Sequence, residues 1–113
     1  MESFIEINEE LVIHFEDWIY DAILNRTIKE LEEDNLVDFA EFLKMGKRGA
    51  NEYLSLLFLE VDSYKLLFRY FRRALSKSQQ KRTGVYSKKA HNTFIIEFKD
   101  LIFLLYKDER FQS

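Results

Sequence analysis

Apolar positions along this chain recur mostly at three- and four-residue intervals, the period of a helix with one face in a core. The clearest set is Leu57, Val61, Tyr64, Phe68, Phe71 and Leu75, whose alternation of four and three matches coiled-coil-like packing. It predicts a long helix over about Ala50 to Lys81. Phe94, Ile95, Phe98, Leu101, Ile102 and Leu105 mark another over about Lys88 to Lys107, with Ser87 as its N-cap. Val37, Phe39, Ala40, Phe42 and Leu43 mark a short one, about Leu36 to Lys44. The first helix is placed after Asn8, a capping residue followed by Glu9 and Glu10, and runs to about Leu31. It carries Leu11, Phe15, Trp18 and Ala22 on one side and Ile13, Tyr20, Leu24, Ile28 and Leu31 nearly opposite. A helix that is apolar on two sides lies at the centre of a bundle or also meets a partner. Phe4 to Ile7 alternates weakly with a period of two and is discounted as a strand.

Punctuation supports this reading. The chain has no proline and three glycines, Gly46, Gly49 and Gly84, so little interrupts long helices. Gly46 is expected to end the second helix in a left-handed conformation. The expected fold is therefore all-α. It is a single-domain bundle of about four helices spanning residues 1–113, with a coiled-coil-like seam on the long third helix.

Composition narrows the class. Apolar residues make up 47% and charged residues 33%, the balance of a folded chain. Disulfides and thiolate metal sites are excluded by the absence of cysteine. The longest apolar run, Leu101 to Tyr106, is far short of the ~20 residues that span a bilayer. The N-terminal stretch is acidic and unlike a secretion signal. These features predict a cytoplasmic protein with no membrane partner.

Charge is divided along the chain. Residues 1–43 hold thirteen acids and two bases, and residues 44–113 hold fifteen bases and seven acids. No acid occurs from Ser63 to Ile96, although the net charge is −3. On a helical wheel Lys65, Arg69, Arg72, Arg73 and Lys77 fall outside the third helix's seam. Lys65, Arg69, Arg73, Lys77 and Lys81 form an i,i+4 row, where like charges repel. A phosphate backbone relieves such a row and releases counterions. Tyr70 and Tyr86 sit among these bases and suit base stacking on single strands. Arg82, Lys88 and Lys89 extend the patch. The competing expectation is that the row meets the carboxylates Glu30, Glu32, Glu33, Asp34, Asp38 and Glu41, within one chain or across a dimer.

Gly46-Lys47-Arg48-Gly49 lies between two predicted helices. Two glycines permit close approach of a ligand, and the next helix offers free amides to an anion. This GXXG element resembles the backbone clamp of KH domains, which would make Lys47 and Arg48 nucleic-acid contacts. The resemblance covers about ten residues, and the strands of a KH domain are not expected. Otherwise these residues form a helix cap and a tight turn.

Enzyme signatures are poor. The two histidines, His14 and His91, fit neither H-E-x-x-H nor a di-iron motif. His14 reads as a packing residue beside Trp18. His91 reads as an exposed residue or a member of the basic patch. The acids from Glu30 to Glu41 lack EF-hand spacing. A helix-turn-helix over Lys77 to Phe94 is opposed by Gln80, where a small apolar residue is needed. No catalytic residue, metal or cofactor is expected.

The architecture loosely resembles small helical subunits of nucleoprotein complexes, such as those of CRISPR effectors. The leading expectation is a non-catalytic module that contacts RNA or single-stranded DNA through its basic helix face, without reading sequence. It would act as a homo-oligomer or as a subunit of a larger assembly with a protein partner. The alternative is a protein-binding adaptor or inhibitor, such as a phage- or plasmid-type anti-defence or immunity protein, acting through its acidic N-terminal half.

Overall fold

Near the N-terminus, buried and outward residues alternate. Ser3, Ile5 and Ile7 are buried, while Phe4 and Glu6 between them are not. This is the pattern of a strand with one face on a core. The computed structural model describes residues 2–47, 52–80 and 87–112. Its elements are β1 (Glu2–Glu6), β2 (Val12–Glu16), α1 (Asp17–Glu33), α2 (Val37–Met45), β3 (Tyr53–Ser55), α3 (Val61–Gln80) and α4 (Lys88–Tyr106). The molecule is mostly helical, but the all-α expectation is corrected by a small sheet of order β2-β1-β3. β1 runs antiparallel to β2 and parallel to β3.

Two boundaries move because of that sheet. The first helix starts at Asp17 rather than after Asn8, and Phe4 to Glu6 of the discounted segment belong to β1. Asn8 does cap, but it caps a hairpin turn. Its Oδ1 accepts from the amides of Glu10 and Leu11 at 2.8 and 2.9 Å. A helix N-cap offers the same bonds to its second and third following amides, so residue type does not separate the two uses. The long helix starts at Val61 rather than Ala50, with β3 and a turn at Leu57 and Phe58 ahead of it. Its seam holds from Tyr64 through Leu75, all buried at the expected spacing, while Leu57 lies in the turn.

The other ends follow local chemistry. Asn35 adopts φ 60°, and α1 closes with bonds from Asn35 N to Glu32 O and from Leu36 N to Leu31 O, at 3.0 and 2.9 Å. That is a Schellman cap with asparagine in the left-handed position. Gly46, expected to be left-handed, is instead right-handed helical at φ −68°. Space explains the glycine. A Cβ there would lie 3.0 Å from the Tyr20 hydroxyl and 3.2 Å from Leu54, and that hydroxyl donates to the Gly46 carbonyl. Ser87 caps α4 as expected, its side chain accepting from the Ala90 amide.

α1 is the central element. It packs against α2, α3, α4, β1 and β2, which accounts for its two apolar sides. Tyr20, Leu24, Ile28 and Leu31 are buried on one side, and Ile19, Ala22 and Ile23 on the other. The inner sheet face adds Ile5, Phe15 and Leu54, and α3 and α4 add Phe71, Phe94, Phe98 and Leu101 to the same core. Among the described residues no helix is long and apolar enough to cross a membrane.

Candidate functional site

The basic row of α3 splits into two sets with different surroundings. Arg73 and Lys77 turn toward the end of α1. Arg73 donates from Nε to Glu30 at 2.7 Å and from Nη1 to Asp34 at 2.8 Å. Lys77 lies 2.6 Å from the same Glu30 carboxylate and 3.5 Å from Glu33. Tyr70 donates its hydroxyl to Asp34, and the Arg73 guanidinium sits 5.2 Å from the Tyr70 ring centroid. The acidic and basic parts of the chain therefore meet in one molecule.

Glu30 anchors this seam, with its side chain only 5% exposed. Burial by itself would raise its carboxyl, but hydrogen bonds from Lys77 and Arg73 outweigh that and hold it below the ordinary range. The bonds from Arg73 and Tyr70 lower Asp34 likewise. Arg73 and Lys77 are correspondingly raised by their carboxylate partners. Beside them, Lys44 bridges Glu32 at 2.9 Å and Glu41 at 3.4 Å.

The second set points outward. At 100° per residue Arg69 and Arg72 lie within about 60° of each other, with Lys65 between them. Arg69 and Arg72 are exposed and Lys65 is half-buried. Among the described residues, Arg69 and Arg72 have no carboxylate partner, and no acid lies on α3 beyond Asp62. Lys88 and Lys89 are exposed in the first turn of α4, which holds no acid. Cations there oppose the helix dipole, so a bound anion would relieve them. Asp38 is exposed in the first turn of α2. Lys47 donates to Asn25 Oδ1. Arg48, Lys81, Arg82 and Tyr86 lie outside the described residues.

The histidines are placed differently from expectation. His14 is exposed on β2, outside any helix, with its ring 5.6 Å from Phe4. Phe4 also stacks on Tyr53 at 5.2 Å, so three rings cross the outward sheet face as cross-strand neighbours. His91 is buried beside Phe94, and its Nδ1 has no hydrogen-bond partner among the described residues. No group of three His, Asp or Glu side chains comes together as a metal site among the described residues.

A second charge cluster had no signal in the sequence pattern. Arg110 donates to the carbonyls of Leu56, Leu59 and Ile7 at 2.6, 2.8 and 2.7 Å. It also pairs with Asp108 at 2.8 Å, and Asp108 accepts from Asn8 Nδ2 at 2.7 Å. The guanidinium lies 4.1 Å from the Tyr64 ring centroid. This clamp joins the C-terminal turns, the hairpin and the loop before α3, and it forms one wall of an open cleft of about 550 Å³. Glu9, Glu10, Leu11, Leu57, Lys107 and Glu109 line the rest. The clamp bonds already use the Asp108 and Arg110 side chains there.

Comparisons with protein-family models, with curated proteins and with solved structures found no match to this chain.

Proposed function

We propose that this chain is a non-catalytic binding module that holds a nucleic-acid backbone against the outer stripe of α3 and the first turn of α4, without reading base sequence. One observation carries the reading. After α1 has taken Arg73 and Lys77, Arg69 and Arg72 remain exposed without a carboxylate partner among the described residues. Exposed cations on a stripe that holds no acid after Asp62 bind phosphates by releasing counterions. Lys65, Lys88 and Lys89 extend the same sign of charge. The module works as part of a larger assembly, since so short a stripe holds few phosphates by itself.

The adaptor or inhibitor reading has less support. Of its six acids, Glu30, Glu32, Glu33, Asp34 and Glu41 are each paired with a cation of the same chain. Asp38 alone stands apart from those pairs.

The test is fluorescence anisotropy of labelled single- and double-stranded oligonucleotides at two salt concentrations. Binding is expected to weaken steeply with salt, with a slope that counts phosphate contacts. The double variant Arg69→Glu, Arg72→Glu is expected to lose binding while keeping its circular dichroism and unfolding midpoint. Wild-type affinity in that variant, or no binding by the natural chain at low salt, overturns the proposal. Arg73 is a poor test position, because its removal strips Glu30 of a partner.

A further inference from the structure

β3 lies at one edge of the sheet, beside β1 only. In that parallel ladder Phe4 N donates to Glu52 O at 3.3 Å and Leu56 N to Glu6 O at 2.7 Å. A strand serves one parallel neighbour with alternate residues. Glu52, Leu54 and Leu56 therefore turn main-chain groups toward β1, and the N–H and C=O groups of Tyr53 and Ser55 point away from it. Those four groups have no partner among the described residues. They border a groove of about 240 Å³, with Tyr53, Leu54 and Ser55 on one side and Phe42, Met45 and Gly46 at the end of α2 on the other. Met45 is 63% exposed and Tyr53 50%.

We propose that an extended segment of a partner protein adds to β3 as a fourth, antiparallel strand, with an apolar side chain in this groove and a Lys or Arg two residues after it. The unpaired groups call for a strand, since an extended main chain answers alternate N–H and C=O groups in turn. Register then assigns the side chains, because cross-strand neighbours share a face. The residue opposite Leu54 enters the groove beside Phe42 and Met45. The next one lies beside the Tyr53 ring on the outward face. The one after that comes opposite Glu52.

Charge selects the occupant. The Glu52 carboxyl is hydrogen-bonded to Asp21 of α1, and Asp17 acts on it from the same helix. The buried Oδ1 of Asp21 has no hydrogen-bond partner among the described residues. Burial, then Asp21 and Asp17, raise the Glu52 carboxyl above its ordinary range. Lys47 opposes this, but its ammonium is bonded to Asn25. A cation on the added strand relieves the two carboxylates and supplies the missing donor. The strands of this chain, ESFIE, VIHFE and YLS, contain no Lys or Arg, so a second copy adding one of them brings no such cation. The α3 stripe takes no part in this contact, which is independent of the polyanion reading.

The test titrates a labelled, acetylated and amidated peptide, Thr-Val-Leu-Thr-Lys-Thr, into the full chain, read by fluorescence anisotropy and by amide NMR shifts. Binding is expected, with the Tyr53 and Ser55 amides shifting most and gaining protection from hydrogen exchange. N-methylation of the threonine between Leu and Lys removes the amide that faces Tyr53 and is expected to abolish binding. Glu in place of Lys is expected to weaken it roughly tenfold. The double variant Asp21→Asn, Glu52→Gln is expected to erase that preference. Met45→Lys, at an exposed position, is expected to weaken binding roughly tenfold while circular dichroism and the unfolding midpoint stay unchanged. No binding at about 1 mM peptide overturns the proposal, as does equal binding of the N-methylated peptide. Equal affinity for the Lys and Glu peptides overturns the basic character of the segment. Shifts at Tyr53 and Ser55 that grow with the concentration of the natural chain alone assign the edge to a second copy and overturn the partner.

Discussion

The α1–α3 seam and the Arg110 clamp use the same chemistry in different surroundings. In the seam, Arg73 and Lys77 reach Glu30, Glu33 and Asp34 from a partly open surface, with the Lys77 side chain 52% exposed. In the clamp, the Arg110 side chain is 14% exposed and Asp108 2%. The three carbonyls that Arg110 satisfies belong to two segments, at Ile7 and at Leu56 to Leu59, both far from it in the chain. Water and salt compete for the seam, and little competes for the clamp. The seam aligns two helices, while the clamp fixes how the chain's distant parts meet.

This contrast is open to experiment. The largest effect is expected from Arg110→Met, which leaves buried Asp108 with only Asn8 and the amide of residue 110 and takes the side-chain donor from three carbonyls. A loss of about 3–5 kcal/mol by denaturant unfolding is expected, changing little with salt. A loss below ~1 kcal/mol would place the clamp in the same class as a surface ion pair. Asn8→Ala removes both the hairpin cap and one Asp108 donor and is expected to cost about 1–3 kcal/mol. Arg73→Met is expected to lower the unfolding midpoint less than Arg110→Met does, and the deficit should shrink in high salt. A deficit insensitive to salt would show the seam to be as dry as the clamp.

The smallest effect is the pH dependence. Glu30, Asp34 and Asp108 are held below the ordinary carboxylate range in the folded chain. Their contribution is complete above the unfolded value of about 4 and is lost as pH falls through their lower folded values. Glu52 and Glu97, raised chiefly by burial, act in the opposite sense and regain stability as pH falls. Thermal unfolding is expected to show a net decline below about pH 4. The Arg110→Met chain should decline less steeply, since its Asp108 no longer titrates low. An unchanged slope would mean the seam alone sets acid sensitivity.

The helical part was legible because its signal is periodic. The spacing of Tyr64, Phe68, Phe71 and Leu75 and that of Phe94, Phe98, Leu101 and Leu105 identified the buried faces. The sheet was not, because its strands are short and free of the proline and glycine that usually bound them. Asn8 announced a cap without saying of what. The basic row was visible, but its division was not, since Arg69 and Arg73 differ only in what α1 brings beside them. Arg110 carried no signal, because its partners are backbone carbonyls, which every residue has.

The clamp also bears on rates. Arg110 bonds to Ile7 across 103 positions and Asn8 to Asp108 across 100. Contacts between such distant positions require a large loop to close, so they form after the local helices have gathered. A bond made late on the folding route is absent from the transition state, and its loss quickens unfolding while leaving folding nearly unchanged. Arg110 thus sets how long the native chain lasts more than how fast it is made.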